Sequence, residues 1–183
     1  DIDIAVHSHK DLETNQPDGL CIAAVSYRED PSELLLVRKD RVERRKKWSL
    51  PEGAVVGTSS ARRKNQLLSF RPDIKLKDLR GNVPTRVDKL RKGDYDAILL
   101  AAAGVERLGL DVSDLHTEKL DVKEFIPAPA QGVLAVQVRE SDKELRKSLE
   151  PINNKEVQSV IAVERKFLNL LGGGCQMPVG AYC

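Results

Sequence analysis

The chain has 183 residues, 40% hydrophobic and 32% charged, a balance that suits a folded soluble core and excludes a disordered tract. Its 30 Lys and Arg nearly cancel 28 Asp and Glu, and aromatic residues reach only 4%, which argues against a nucleic-acid reader built on basic patches and stacked bases. Cys21, Cys175 and Cys183 show no CxxC or Cys/His spacing. A disulfide framework and a zinc site are therefore unexpected, and a reducing compartment is the natural expectation. No run approaches the roughly 20 apolar residues of a membrane span, so the expectation is a cytoplasmic protein without a membrane partner.

Short apolar runs are read as buried strands at Ile2–Val6, Leu20–Val25, Leu34–Val37, Ala54–Gly57, Ile74–Leu76, Ala97–Ala101 and Val133–Val138. Helical patterns lie between several of them, so the class is α/β. The first run ends in His7-Ser8-His9-Lys10-Asp11. An Asp beside a Lys at a strand's carboxyl end suits a general acid/base or a fixed anion that stabilises a developing cation; a plain helix cap is the other reading. His7 and His9 have no third ligand nearby, so no metal is expected. Cys21, inside a strand, reads as core. The basic run Arg38–Lys47 is broken by Asp40 and Glu43 and reads as a solvated face.

Two strand-to-helix joints follow. In the first, Gly57-Thr58-Ser59-Ser60 offers cap hydroxyls and free amides ahead of a helix over Ser60–Phe70, with Arg62 and Arg63 in its first turn. In the second, Leu79-Arg80-Gly81-Asn82 leads to Pro84, Arg86 and a helix over Thr85–Lys92. Cations at a helix N-terminus oppose the macrodipole, so an anion is expected to compensate them. Surface salt bridges would do so. A polyanionic ligand in the crevice at the carboxyl ends of the strands would do so as well. Pro127-Ala128-Pro129-Ala130-Gln131-Gly132 then reads as a crossing between domains. A helix at 156–171 carries Val157, Val160, Ile161, Phe167, Leu168 and Leu171 on one stripe and runs into Gly172-Gly173-Gly174-Cys175. On a glycine loop Cys175 is either an accessible nucleophile or a small buried residue.

Six segments in register resemble the porphobilinogen deaminase family: DIAVHSHKD at Asp3–Asp11, VGTSSARRKNQL at Val56–Leu67, LRGNVPTRVDKL at Leu79–Leu90, YDAILLAAAGVERLGL at Tyr95–Leu110, PAPAQG at Pro127–Gly132 and GGGCQMPVGAY at Gly172–Tyr182. The resemblance implies a transferase that deaminates porphobilinogen and joins four units into linear hydroxymethylbilane in tetrapyrrole and haem biosynthesis. It implies a dipyrromethane cofactor bound to Cys175 through a thioether, and Asp11 as the catalytic carboxylate. Cofactor binding would involve Ser8, Lys10, Thr58, Ser60, Arg62, Arg63 and Arg86, and substrate binding Arg80, Arg86 and Arg107. Small departures from the commonest pattern are His9 where Met is frequent, Ala61 where Leu is frequent, Pro84 where Gly is also found and Gly172 where Glu is common.

The same resemblance implies two domains like periplasmic binding proteins, with mixed sheets, and the start of a small α+β third domain. The expected division is 1–27 with 131–149 for domain 1, 28–130 for domain 2, and 150–183 for the opening of domain 3 with the cysteine loop. Both ends look cut, so the piece is expected to be an inactive fragment of a monomeric enzyme. The competing expectations are a reversible anion-binding module without chemistry, since fold alone does not fix function, and a nucleic-acid binder built on Arg38–Lys47.

Overall fold

A computed structural model describes residues 2–172 and 177–183, and it divides the chain into two compact units. One is Asp1–Pro31 with Pro127–Cys183; the other is Ser32–Ile126. Residues 150–183 thus lie in the same unit as the first 31, and the chain passes between units at Pro31/Ser32 and Ile126/Pro127.

The second unit is built on a five-stranded mixed sheet of order β5-β4-β6-β3-β7. Its strands are β3 (Glu33–Arg38), β4 (Val55–Gly57), β5 (Lys75–Lys77), β6 (Ala97–Ala101) and β7 (Leu115–Leu120). β4 pairs in parallel with β5 and β6, while β3 pairs antiparallel with β6 and β7. The central strands are apolar throughout because both faces are covered. Leu35, Val37, Ala97 and Leu99 join Trp48, Leu50, Leu67 and Phe125 in one cluster, and Leu36, Ile98 and Leu100 join Leu79, Val87 and Leu90 in another. β7 escapes the sequence reading because its middle, His116-Thr117-Glu118-Lys119, is polar on an edge strand.

Helices α1 (Ala61–Phe70), α2 (Val83–Arg91) and α3 (Ala102–Arg107) follow β4, β5 and β6 in turn. The three strands run parallel to one another, so the chain leaves each of them at the same edge of the sheet. The basic run lies in irregular backbone and short 3-10 turns, where Arg38 pairs with Asp40 and Arg41 with Asp96.

The first unit holds a three-stranded sheet of order β1-β8-β2, antiparallel throughout among the described residues, from β1 (Ala5–Ser8), β2 (Leu20–Val25) and β8 (Leu134–Arg139). β1 begins at Ala5 rather than Ile2, since its pairing with β8 starts at Ala5–Gln137 although β8 itself runs on to Arg139. Helix α4 (Lys143–Leu149) buries nothing and so left no apolar stripe to read. Helix α5 (Lys155–Leu170) is capped by Asn154 and packs Val157 and Ile161 on Val25, Ala130 and Val133, with Leu168 also buried. Phe167 and Leu171, placed on that stripe by spacing, are each 49% exposed. Glu164 takes a place on the buried stripe instead.

Candidate active site

In the first unit, β1 runs into a 3-10 turn over His9–Asp11. The strand's end is fixed by the Ser8–Leu134 pair and by the His9 amide, which donates to Val133 O at 2.9 Å. The turn points its three side chains in different directions. His9 goes inward, 5% exposed, with Nδ1 lacking any acceptor. Burial pushes its imidazole down to about pKa 4, the Arg165 charge adds to that, and a hydrogen bond involving the His9 backbone opposes it. Lys10 Nζ donates to Gln131 Oε1 at 3.1 Å. Asp11 goes outward, and among the described residues its carboxylate makes no hydrogen bond or ion pair. It is not a cap: the residue at the cap position is Ser8, which is exposed and gives no side-chain bond.

Gln131 belongs to the Pro-rich crossing and is fully buried. Its Nε2 donates to Pro31 O at 2.7 Å, and its own carbonyl accepts from Arg28 Nε at 3.0 Å. Gly132 is required next to it, because a Cβ there would stand 2.3 Å from Glu29 O. Arg28 forks onto Glu164 at 2.7 and 3.2 Å. Glu164, 1% exposed, also accepts from the amides of Ala130 and Cys183. A buried carboxylate is tolerable only with such a full set of donors.

The second unit contains both arginine-bearing joints, and Ser59 fastens them together. Its Oγ donates to Leu79 O and accepts from the Leu79 amide, each at 3.0 Å. Thr58, buried, accepts the Ser60 amide at 3.3 Å, and Ser60 caps α1 by accepting from the Arg63 amide. Arg62 and Arg63 are both buried, and both reach one carboxylate, that of Glu33 at the head of β3. Arg63 Nη2 stands 2.6 Å from Glu33 Oε2 and Nη1 donates to Leu99 O at 3.0 Å; Arg62 Nη1 donates to Ile126 O at 2.6 Å. Burial pulls the Arg62 pKa down against the restoring charge of Glu33. Two guanidinium groups thus share one carboxylate, and among the described residues Arg63 Nε is buried without an acceptor.

The second joint is more open. Asn82 caps α2 by accepting the Thr85 amide at 2.9 Å, and Arg86 Nε donates to Gly81 O at 2.7 Å. Arg80 is exposed, and its carbonyl rather than its guanidinium is engaged, accepting Lys89 Nζ. Arg107, at the end of α3, is exposed too. The structure therefore assembles Ser8, Lys10 and Asp11 on one turn, and Thr58, Ser60, Arg62 and Arg63 on one helix start. Arg80 and Arg86 flank the next. Cys175 lies outside the described residues, as do Gly173 and Gly174 of its loop. No group of His, Cys, Asp or Glu suited to a metal occurs among the described residues. No described helix is long and apolar enough to cross a membrane.

Residues 1–147 match the sequence model of the porphobilinogen deaminase, dipyromethane cofactor binding domain, and residues 159–183 match that of the porphobilinogen deaminase C-terminal domain. The chain belongs to the porphobilinogen deaminase family. The porphobilinogen deaminase of Geobacillus sp. (strain WCH70) is 46% identical over 182 residues, covering all of this chain and 57% of that protein. That of Roseiflexus castenholzii is 47% identical over 180 residues, covering 98% of this chain and 57% of that one. The chain therefore spans under three fifths of the length of these relatives. Among solved structures, a probable amino-acid ABC transporter extracellular-binding protein of Bacillus subtilis aligns with a TM-score of 0.49 and 13% identity, over 93% of this chain and 70% of that one.

Proposed function

We propose that the whole protein is a hydroxymethylbilane synthase, a transferase that deaminates porphobilinogen and joins four units head to tail on a dipyrromethane held by a thioether to Cys175. The observation that carries this reading is the Asp11 carboxylate, exposed on the turn that follows β1 and without a partner among the described residues, in a chain of this family. Such a group is available to accept pyrrole N–H donors and to offset the positive charge that develops as ammonia leaves the substrate. Lys10, tethered to Gln131, adds a fixed cation beside it for substrate carboxylates.

The donor set of the second unit fits a ligand that carries several carboxylates. Its support is the two guanidinium groups that share the Glu33 carboxylate, the Nε of Arg63 that has no acceptor among the described residues, and the exposed Arg80 and Arg107. Ser8, Thr58, Ser60 and Arg86 complete the polar lining that this reading assigns. When bound, the dipyrromethane supplies the pyrrole carbon to which each incoming unit is joined. The 183 residues alone are proposed to be inactive, and the whole protein to work as a cytoplasmic monomer with no nucleic-acid partner.

Intact mass spectrometry of the whole protein beside its Cys175→Ser variant tests the reading. Added mass matching two linked pyrroles, lost in the variant, is the expected result. A bare cysteine in the whole protein would overturn it in favour of a reversible anion-binding module.

A further inference from the structure

We infer that Arg165 is a positioning residue for Asp11, holding the turn that carries it in register with the helix that leads to Cys175; this rests on the proposed role of Asp11. The turn is poorly equipped to hold itself. It is three residues long, and within it the Leu12 amide reaches His9 O only at 3.3 Å. So short a 3-10 element has little cooperative stability of its own. Ser8 provides no side-chain cap, and the Asp11 carboxylate is anchored to nothing among the described residues. The position of Asp11 is therefore set by what grips the backbone on either side.

Upstream the grip is β1 on β8, extended by the His9 amide on Val133 O. A side chain from α5 grips the turn's first carbonyl and the two that follow the turn. Arg165, half-buried on α5, donates through Nη1 to His9 O at 3.1 Å and Leu12 O at 3.3 Å, and through Nη2 to Glu13 O. It has no carboxylate partner among the described residues, so it serves to tie the carbonyl at the start of the turn to those just beyond it rather than as half of an ion pair. Asn169, one turn further along α5, adds a bond from Nδ2 to Asn15 Oδ1 at 2.8 Å. α5 then ends at Leu170, shortly before the cysteine loop. The planar fork of arginine reaches carbonyls of three different residues at once, which the single ammonium of lysine does not.

The test uses the whole protein with Arg165→Met and Arg165→Lys, measured beside Asp11→Ala. For Arg165→Met, kcat is expected to fall about 10- to 100-fold, the scale of a displacement of about 1 Å at a reacting centre. KM for porphobilinogen and the mass attached at Cys175 are expected to hold. Hydrogen exchange should quicken in residues 9–13 while the middle of α5 keeps its protection, and Arg165→Lys should fall between. A kcat within twofold of the parent, or exchange that quickens throughout α5 and the sheet, would overturn the inference. If Asp11→Ala is inactive while the Arg165 variants are silent, only the positioning role is lost; full turnover by Asp11→Ala removes the role of Asp11 itself.

Discussion

In the first unit the Asp11 carboxylate stands exposed on a three-residue turn with both oxygens unclaimed among the described residues, whereas in the second the Glu33 carboxylate is fully buried and claimed by two arginines. Glu33 is the first residue of β3, and Asp11 lies three residues beyond the end of β1. What separates them is whether a cation lies within reach. Glu33 meets Arg62 and Arg63 across the start of α1, so its charge goes into holding the first turn of that helix against β3. Asp11 meets none, and the nearby cations are occupied elsewhere, Lys10 by Gln131 and Arg165 by backbone carbonyls. A carboxylate kept unpaired beside occupied cations remains available to a ligand. One shared by two buried guanidiniums is structural, and it holds Arg62 and Arg63 in place.

That contrast makes opposite demands on two substitutions. Asp11→Ala is expected to reduce turnover by the whole protein at least about 10²- to 10⁴-fold, the range of a lost acid/base group. Its unfolding free energy should move by no more than about 0.5 kcal/mol, as for an exposed side chain without partners. Product formation and urea unfolding of the same preparation give both numbers, and a large stability loss would show that the carboxylate has a structural partner after all. Glu33→Ala is expected to behave the other way. Removing one partner of a buried charge cluster leaves the rest uncompensated, a loss of about 3–5 kcal/mol. Urea unfolding is the readout. A loss under about 1 kcal/mol would mean that Arg62 and Arg63 find other acceptors and that Glu33 does not fix them.

The sequence revealed these features unevenly, and the reasons are physical. The central strands were legible because burial on both faces makes them continuously apolar, as Leu34–Val37 and Ala97–Ala101 are. The two joints were legible because Gly57, Ser60, Asn82 and Pro84 have local reasons to be where they are. The acids that answer the arginines were not, because Glu33 lies 29 positions from Arg62 and only the folded sheet brings them together. A signal existed in each case: Glu33 heads an apolar strand, and Glu164 occupies the α5 stripe between Ile161 and Leu168. A charged residue on a buried stripe calls for a partner, and spacing alone does not say which. For the carbonyl contacts of Arg165 no sequence signal exists, since the backbone offers the same acceptor at every residue.

The smallest expected effect lies under the Asp11 turn, where an uncharged group does the supporting. His9 is buried beside the Arg165 guanidinium, and the two together hold its pKa at about 4 instead of 6.5. Above pH 6.5 the imidazole is neutral in folded and unfolded chain alike, and its contribution to stability is fully present. Between 6.5 and 4 the unfolded chain takes up a proton that the folded chain refuses, so stability falls as pH falls, by about 3 kcal/mol at most by pH 4. Met has a similar volume and no proton to gain, and in His9→Met it also removes the orphaned Nδ1. Urea unfolding of the two proteins should therefore differ least at pH 8, where only the loss of the orphaned nitrogen favours the Met variant, and diverge steadily towards pH 4.5 as the Met variant gains further. Other titrating groups are common to both and cancel in the difference. Parallel curves would mean that His9 protonates in place, and that the turn carrying Asp11 accommodates a second positive charge next to Arg165.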